Sequence, residues 1–124
     1  MKAVLLIFIG GGFGSLGRYL VNRWVSGTIA SPFPYGTLLV NITGCFLIGF
    51  LVYYTERFGT GAIIWRLFLV TGFCGGYTTF SSFSFENVQM LSNQQIFNFI
   101  AYTFLSLAVG LLATFAGIIT ARSV

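Results

Sequence analysis

Phe80 and Phe83 stand three residues apart, the spacing that puts two rings on one helix face, and Ser81, Ser82 and Ser84 are interleaved with them. A benzyl ring has an electropositive edge and a serine hydroxyl donates a hydrogen bond. The mixture can therefore replace part of a small anion's hydration shell without any fixed positive charge. The same pair also serves as ordinary helix packing. Thr37, Asn41 and Gly44 fall at i, i+4 and i+7, placing a hydroxyl, a carboxamide and a notch on one face. Asn41 reads either as interhelical hydrogen-bond glue or as a solute contact. Tyr102 and Ser106 repeat the i, i+4 spacing before Gly110, with an interfacial anchor as the alternative role for Tyr102. Glu86 is a functional candidate if it lies at membrane depth, and a helix-end residue if it lies at the water boundary. Arg18 either snorkels to the interface or places positive potential at a vestibule.

The remaining composition narrows the chemistry. Among 124 residues, 56% are hydrophobic, 19% aromatic and only 6% charged, too little charge for a soluble surface of this size. The chain reads as an integral membrane protein, all-α and a single domain over residues 1–124. With no His, no Asp, and Glu56 and Glu86 far apart in sequence, general-base, side-chain metal and nucleophile–base constellations have almost nothing to work with. Enzyme chemistry is excluded on that ground. The formal net charge of +4 is dispersed rather than gathered into a stripe, which argues against nucleic acid as a partner. Cys45 and Cys74 both sit in apolar segments and read as buried thiols rather than a disulfide.

Those candidate residues need elements to hold them, and hydropathy supplies four membrane spans. The first runs from Ala3 to about Val25; Lys2 and the apolar run after it imitate a signal peptide, but no small-residue cleavage site follows. Ser31, Pro32 and Pro34 mark a loop, and Tyr35 to Tyr54 forms the second span, ending at Glu56-Arg57. The third begins near Ala62 and continues for about 29 residues, which as one helix would be about 44 Å long. Its glycines and hydroxyls predict a helix broken near Gly75–Thr79. A break at that depth is tolerated only where protein, ion or trapped water satisfies the freed backbone groups, so it is a candidate site; a glycine kink for packing is the other reading. The fourth span runs from about Ile96 to Thr120.

With four spans, Lys2, Arg57, Arg66 and Arg122 oppose Arg18 and Arg23, a bias weak enough to leave both insertion orientations open. Gly12-Phe13-Gly14-Ser15-Leu16-Gly17 matches the dinucleotide-binding pattern G-x-G-x-x-G but lacks both the βαβ context and an acid about 20 residues later. Gly10 and Gly14 instead form a G-x-x-x-G pair that lets membrane helices approach closely.

The string Gly75-Gly76-Tyr77-Thr78-Thr79-Phe80-Ser81-Ser82-Phe83-Ser84, preceded by Thr71-Gly72 and followed by Glu86, resembles the signature of the Fluc (CrcB) fluoride channels. The resemblance covers essentially the whole chain, including Arg18 in a glycine-rich first helix, Asn41 in the second, and Tyr102 with Ser106 in the fourth. It implies an antiparallel, dual-topology homodimer of four-helix subunits in the cell inner membrane, conducting fluoride passively. Phe80 and Phe83 would border the pathway, with Asn41, Ser81 and Tyr102 as polar neighbours, Thr37 and Ser106 along the track, Arg18 at a vestibule and Glu86 nearby. Main-chain carbonyls of Gly75 and Thr78 from both subunits would hold a structural sodium ion at the dimer interface, not transported. Gly110 departs from the pattern, because a hydroxyl residue can occupy that position.

The implied purpose is protection. Hydrogen fluoride enters acidified cells as a neutral acid and ionises, and the interior-negative potential drives the anion out at about 2.3 kcal/mol per charge per 100 mV. Two rival functions remain on the residues alone: a small proton-coupled multidrug exporter, which needs an intramembrane carboxylate, and a non-transporting membrane assembly subunit.

Overall fold

The computed structural model describes all of Met1–Val124 and contains helices and no strand. Helix α1 spans Lys2–Thr28 and α2 spans Tyr35–Tyr54. A 3-10 segment, Thr55–Gly61, then turns the chain, aided by Gly59, whose φ of 53° suits a residue without Cβ. Short α3, Ala62–Trp65, leads into a π-helical segment, Arg66–Cys74, and into α4, Gly75–Tyr77. After Thr78 and Thr79 come α5, Phe80–Ser92, and α6, Ile96–Ser123.

Three helical stretches, Lys2–Thr28, Tyr35–Ser92 and Ile96–Ser123, are long and apolar enough to cross a membrane. The middle one holds 58 residues and is not a single rod, since it contains both the Gly59 turn and the extended residues Thr78 and Thr79. The protein is a multi-pass membrane protein. Most of its side chains explain why: large apolar residues such as Phe8, Phe97, Leu111 and Phe115 are exposed on the outside of the bundle, an arrangement stable against acyl chains and not against water.

With lipid outside, close packing rather than the hydrophobic effect must hold the helices together, and small residues supply it. A Cβ at Gly10 would overlap the Phe68 carbonyl oxygen, one at Gly14 the Phe73 carbonyl oxygen, and one at Gly76 the Gly11 carbonyl oxygen. Thus α1 meets the π-helical segment and α4 backbone to backbone. The α2–α6 contact works similarly, with Gly49 against Thr114 and Gly117 against Phe46.

The ends are tied by polar groups. Helix α5 stops in a Schellman arrangement: Gln94, at φ 58°, follows the cap residue, and the Gln95 N–H donates to the Met90 carbonyl at 2.8 Å. Arg57 donates to the Ala121 carbonyl at 2.8 Å, and Arg66 donates both to the Val52 carbonyl and to Glu56. Cys45 and Cys74 are free thiols.

Candidate functional site

The chain unwinds at two β-branched residues that follow a pair of glycines, a combination of low helix propensity. Thr78 (φ −77°, ψ 158°) and Thr79 (φ −151°, ψ 116°) are extended, and each hydroxyl closes a helix end. Thr78 Oγ1 donates back to the Cys74 carbonyl at 2.9 Å, while Thr79 Oγ1 accepts from the Ser82 N–H at 3.2 Å and so caps α5.

Buried backbone groups at such a point need partners, and α2 provides them. Asn41 Oδ1 accepts from the Thr79 N–H at 2.8 Å, and Asn41 Nδ2 donates to the Thr79 carbonyl at 3.1 Å. Asn41 therefore is interhelical glue. It also lines a groove of about 290 Å³, so the second reading of this residue keeps a geometric basis.

That groove is walled by Asn41 and Gly44 of α2, Phe80 and Phe83 of α5, and Ser106 of α6. The two phenyl rings lie 5.8 Å apart at 39°. Phe80 is 78% exposed and borders the groove from its open side. The Ser106 hydroxyl is buried and has no hydrogen-bond partner, a costly state for a donor unless something else receives it. Gly110, one turn further along α6, is buried, with Cys45 filling the space beside it.

A second group forms around Glu86. Its Oε1 accepts from Thr37 Oγ1 at 2.6 Å and its Oε2 from the Tyr102 hydroxyl at 2.7 Å. Tyr102 is completely buried, with Phe83 at 5.1 Å and Phe33 at 5.6 Å between ring centroids. Thr37 and Glu86 also line a separate hollow of about 310 Å³ beneath the loop after α1. Phe83, Tyr102 and Glu86 thus form a continuous side-chain bridge from the groove to this hollow.

Two sequence candidates stand apart from both groups. Ser81 is exposed, its hydroxyl 3.2 Å from Thr79 Oγ1. Arg18 reaches from α1 to the Thr78 carbonyl, a long contact of 3.5 Å. Sequence reasoning overlooked Thr79, although a hydroxyl residue preceding a helical run is a recognisable cap. It also overlooked Asn87, which donates to the Phe83 carbonyl at 2.9 Å and accepts from Thr103 at 3.0 Å, and the Thr43–Tyr77 hydroxyl pair at 2.9 Å. The Asn87–Thr103 and Thr43–Tyr77 pairings join different helices and leave no local signal.

The carbonyls of Gly75 and Thr78 were expected to serve a cation. The Thr79 N–H, which would bond the Gly75 carbonyl in a continuous helix, is turned to Asn41, and the Ser82 N–H, the helical donor for Thr78, is turned to Thr79 Oγ1. Gly75 is exposed on the side of the chain, with no atom within 4 Å of a notional Cβ. Both oxygens are hard neutral donors released from the helical ladder, which fits an alkali cation; the Arg18 guanidinium is the group that would have to share Thr78 with it.

Residues 5–118 match the family described as CrcB-like protein, Camphor Resistance (CrcB). A Flavobacterium psychrophilum protein named fluoride-specific ion channel FluC is 44% identical over 122 residues, covering 98% of each chain. Proteins of the same name from Rhizobium meliloti and Bacteroides fragilis are 42% and 45% identical, covering 99% and 94% of this chain and 98% and 94% of their own. With its glycine seam, unwound threonines and aromatic groove all inside the matched residues, this chain belongs to the CrcB-like family.

Proposed function

We propose that this protein is a fluoride-specific channel that passes the anion down its electrochemical gradient and lowers its concentration in the cell. The observation that carries the reading is the groove lined by Phe80, Phe83, Asn41 and Ser106, with the Ser106 hydroxyl buried at its wall without a partner. Fluoride is small and strongly hydrated, so transfer from water requires oriented N–H, O–H and ring-edge partners, each weak enough to allow release. The relatives' printed name supplies the identity of the anion.

In this proposal the long middle stretch crosses the membrane twice, α2 forming one span and the segment from α3 through α5 another, broken at Thr78 and Thr79. Each subunit has four spans and pairs with an inverted copy in the inner membrane. One subunit leaves Phe80, Ser81 and Gly75 exposed on its flank, and a second copy is what would cover them. Gly75 and Thr78 would hold a structural sodium ion through their carbonyls, the ion binding the two copies together without being transported. Arg18 contributes positive potential beside that point, and the Glu86 group with Thr37 and Tyr102 lies along the route.

The test is efflux from potassium-loaded liposomes on addition of valinomycin, read with a fluoride electrode. Fluoride release without comparable chloride release is the expected result. Absence of release from folded protein overturns the channel reading. Unchanged flux after exhaustive sodium removal overturns the sodium assignment alone.

A further inference from the structure

At one end of the molecule the C-terminal turns of α2 and α6 lie side by side and enclose a shallow hollow of about 370 Å³ lined by Tyr53, Glu56, Arg57, Ala121 and Arg122. Two cations and a carboxylate share it, and the charges are not balanced. The Glu56 carboxylate is taken by Arg66 at 3.0 Å, the one ion pair of the structure, and Arg66 lies outside the hollow. Arg57 and Arg122 therefore keep their charge.

Their donors are also largely free. Arg57 spends one N–H group on the Ala121 carbonyl, which anchors it across the two helix ends, and Arg122 makes no hydrogen bond to the protein. A guanidinium carries five N–H donors, so most remain open to a ligand. Each head group is instead steadied by an aromatic face: Arg57 lies 5.9 Å from the Tyr54 ring centroid and Arg122 lies 4.9 Å from that of Tyr53. The helix ends account for part of this, since cations favour C-terminal turns, but they use one donor of the two arginines together.

The location decides the ligand. Helices α2 and α6 both belong to stretches apolar enough to cross a membrane, so their ends lie where hydrocarbon gives way to head groups. Planar guanidinium groups bind phosphate oxygens in pairs, and aromatic residues favour the same depth. We propose that Arg57, Arg122 and Tyr53 form a binding site for the phosphodiester of an anionic phospholipid, with the acyl chains lying along the apolar flanks of α2 and α6. None of its lining residues belongs to the groove of Phe80 and Phe83.

The experiment is native mass spectrometry of the purified full-length protein titrated with phosphatidylglycerol or phosphatidylcholine. Wild type is expected to retain phosphatidylglycerol preferentially. The Arg57→Gln/Arg122→Gln variant should bind it about 30-fold more weakly, taking each cation near an anionic surface at its usual worth. Arg23→Gln, remote in sequence and outside the hollow, should bind as wild type does. If the double variant does not fold, Arg122→Gln alone carries the test, with about a fivefold loss expected, because that side chain touches the protein through the Tyr53 ring and holds no backbone group. Equal binding by wild type and variant overturns the site. Competition by millimolar inorganic phosphate as effective as by phosphatidylglycerol overturns the lipid assignment.

Discussion

Asn41 holds the backbone of Thr79 with both ends of its carboxamide, accepting the N–H at 2.8 Å and donating to the carbonyl at 3.1 Å. This single side chain replaces the two hydrogen bonds that an unbroken helix would have provided there. Removing it strands two buried groups at about 1–3 kcal/mol each. Asn41→Leu is therefore expected to lower thermal stability in detergent by several degrees and to cut liposome fluoride flux at least tenfold. Asn41→Asp keeps the acceptor, sets a carboxylate against the Thr79 carbonyl, and should be impaired almost as severely.

Ser106 offers a sharper separation of structure from function. Its buried hydroxyl has no partner, so Ser106→Ala relieves a desolvated donor and should leave the protein equally or more stable. If the hydroxyl receives the ion, flux falls in the same variant. Thermal melting and fluoride efflux measured on one preparation are expected to move in opposite directions, and parallel movement would remove Ser106 from the route.

Phe83 touches both the groove and Tyr102. Phe83→Ile removes the ring edge while keeping an apolar side chain of moderate size, so flux is expected to drop at least tenfold with the folded protein recovered in normal yield. Size-exclusion chromatography alongside the efflux assay checks both halves.

The glycine seam makes a paired prediction. A Cβ at Gly14 would overlap the Phe73 carbonyl and stand 2.8 Å from the Tyr77 N, and backbone cannot move aside as a side chain does. Gly14→Ala should destabilise by about 2–4 kcal/mol, comparable with other large core disruptions. Gly12 meets nothing within 4 Å, and Gly12→Ala should stabilise by up to about 1 kcal/mol through helix propensity. Melting temperatures of the two variants are the check.

Gln94 pays the steric cost of a left-handed conformation at φ 58° where glycine would not. Gln94→Gly is expected to raise stability by roughly 0.5–1 kcal/mol, with no change in flux because the residue lies outside both hollows.

Much of this was legible in the residues. The apolar stretches, the loop at Ser31–Pro34 and the polar loop before Ile96 follow from hydropathy and turn chemistry, which act locally. Thr37 and Asn41 share a face of α2 because helical periodicity requires it. The π-helical winding of Arg66–Cys74 was not legible: the segment packs backbone to backbone on α1, with the Phe68 and Phe73 carbonyls against Gly10 and Gly14, and no periodicity in the residues records that contact. The Glu86–Thr37 contact bridges two helices whose relative rotation no periodicity specifies, so Glu86 read equally well as a helix-end residue. It lies in the middle of α5, within hydrogen-bond reach of both neighbours.

The extended threonines also uncouple two registers. Two such residues advance about 6.6 Å without the 100° per-residue rotation of a helix, so azimuth is not transmitted across them. A one-residue insertion upstream of Gly75 would swing Gly72 and its neighbours out of the α1 interface while Phe80, Phe83 and Glu86, indexed by their own capping threonine, kept their bearings. The two halves are in that sense separately keyed modules, and drift in one need not be answered by drift in the other.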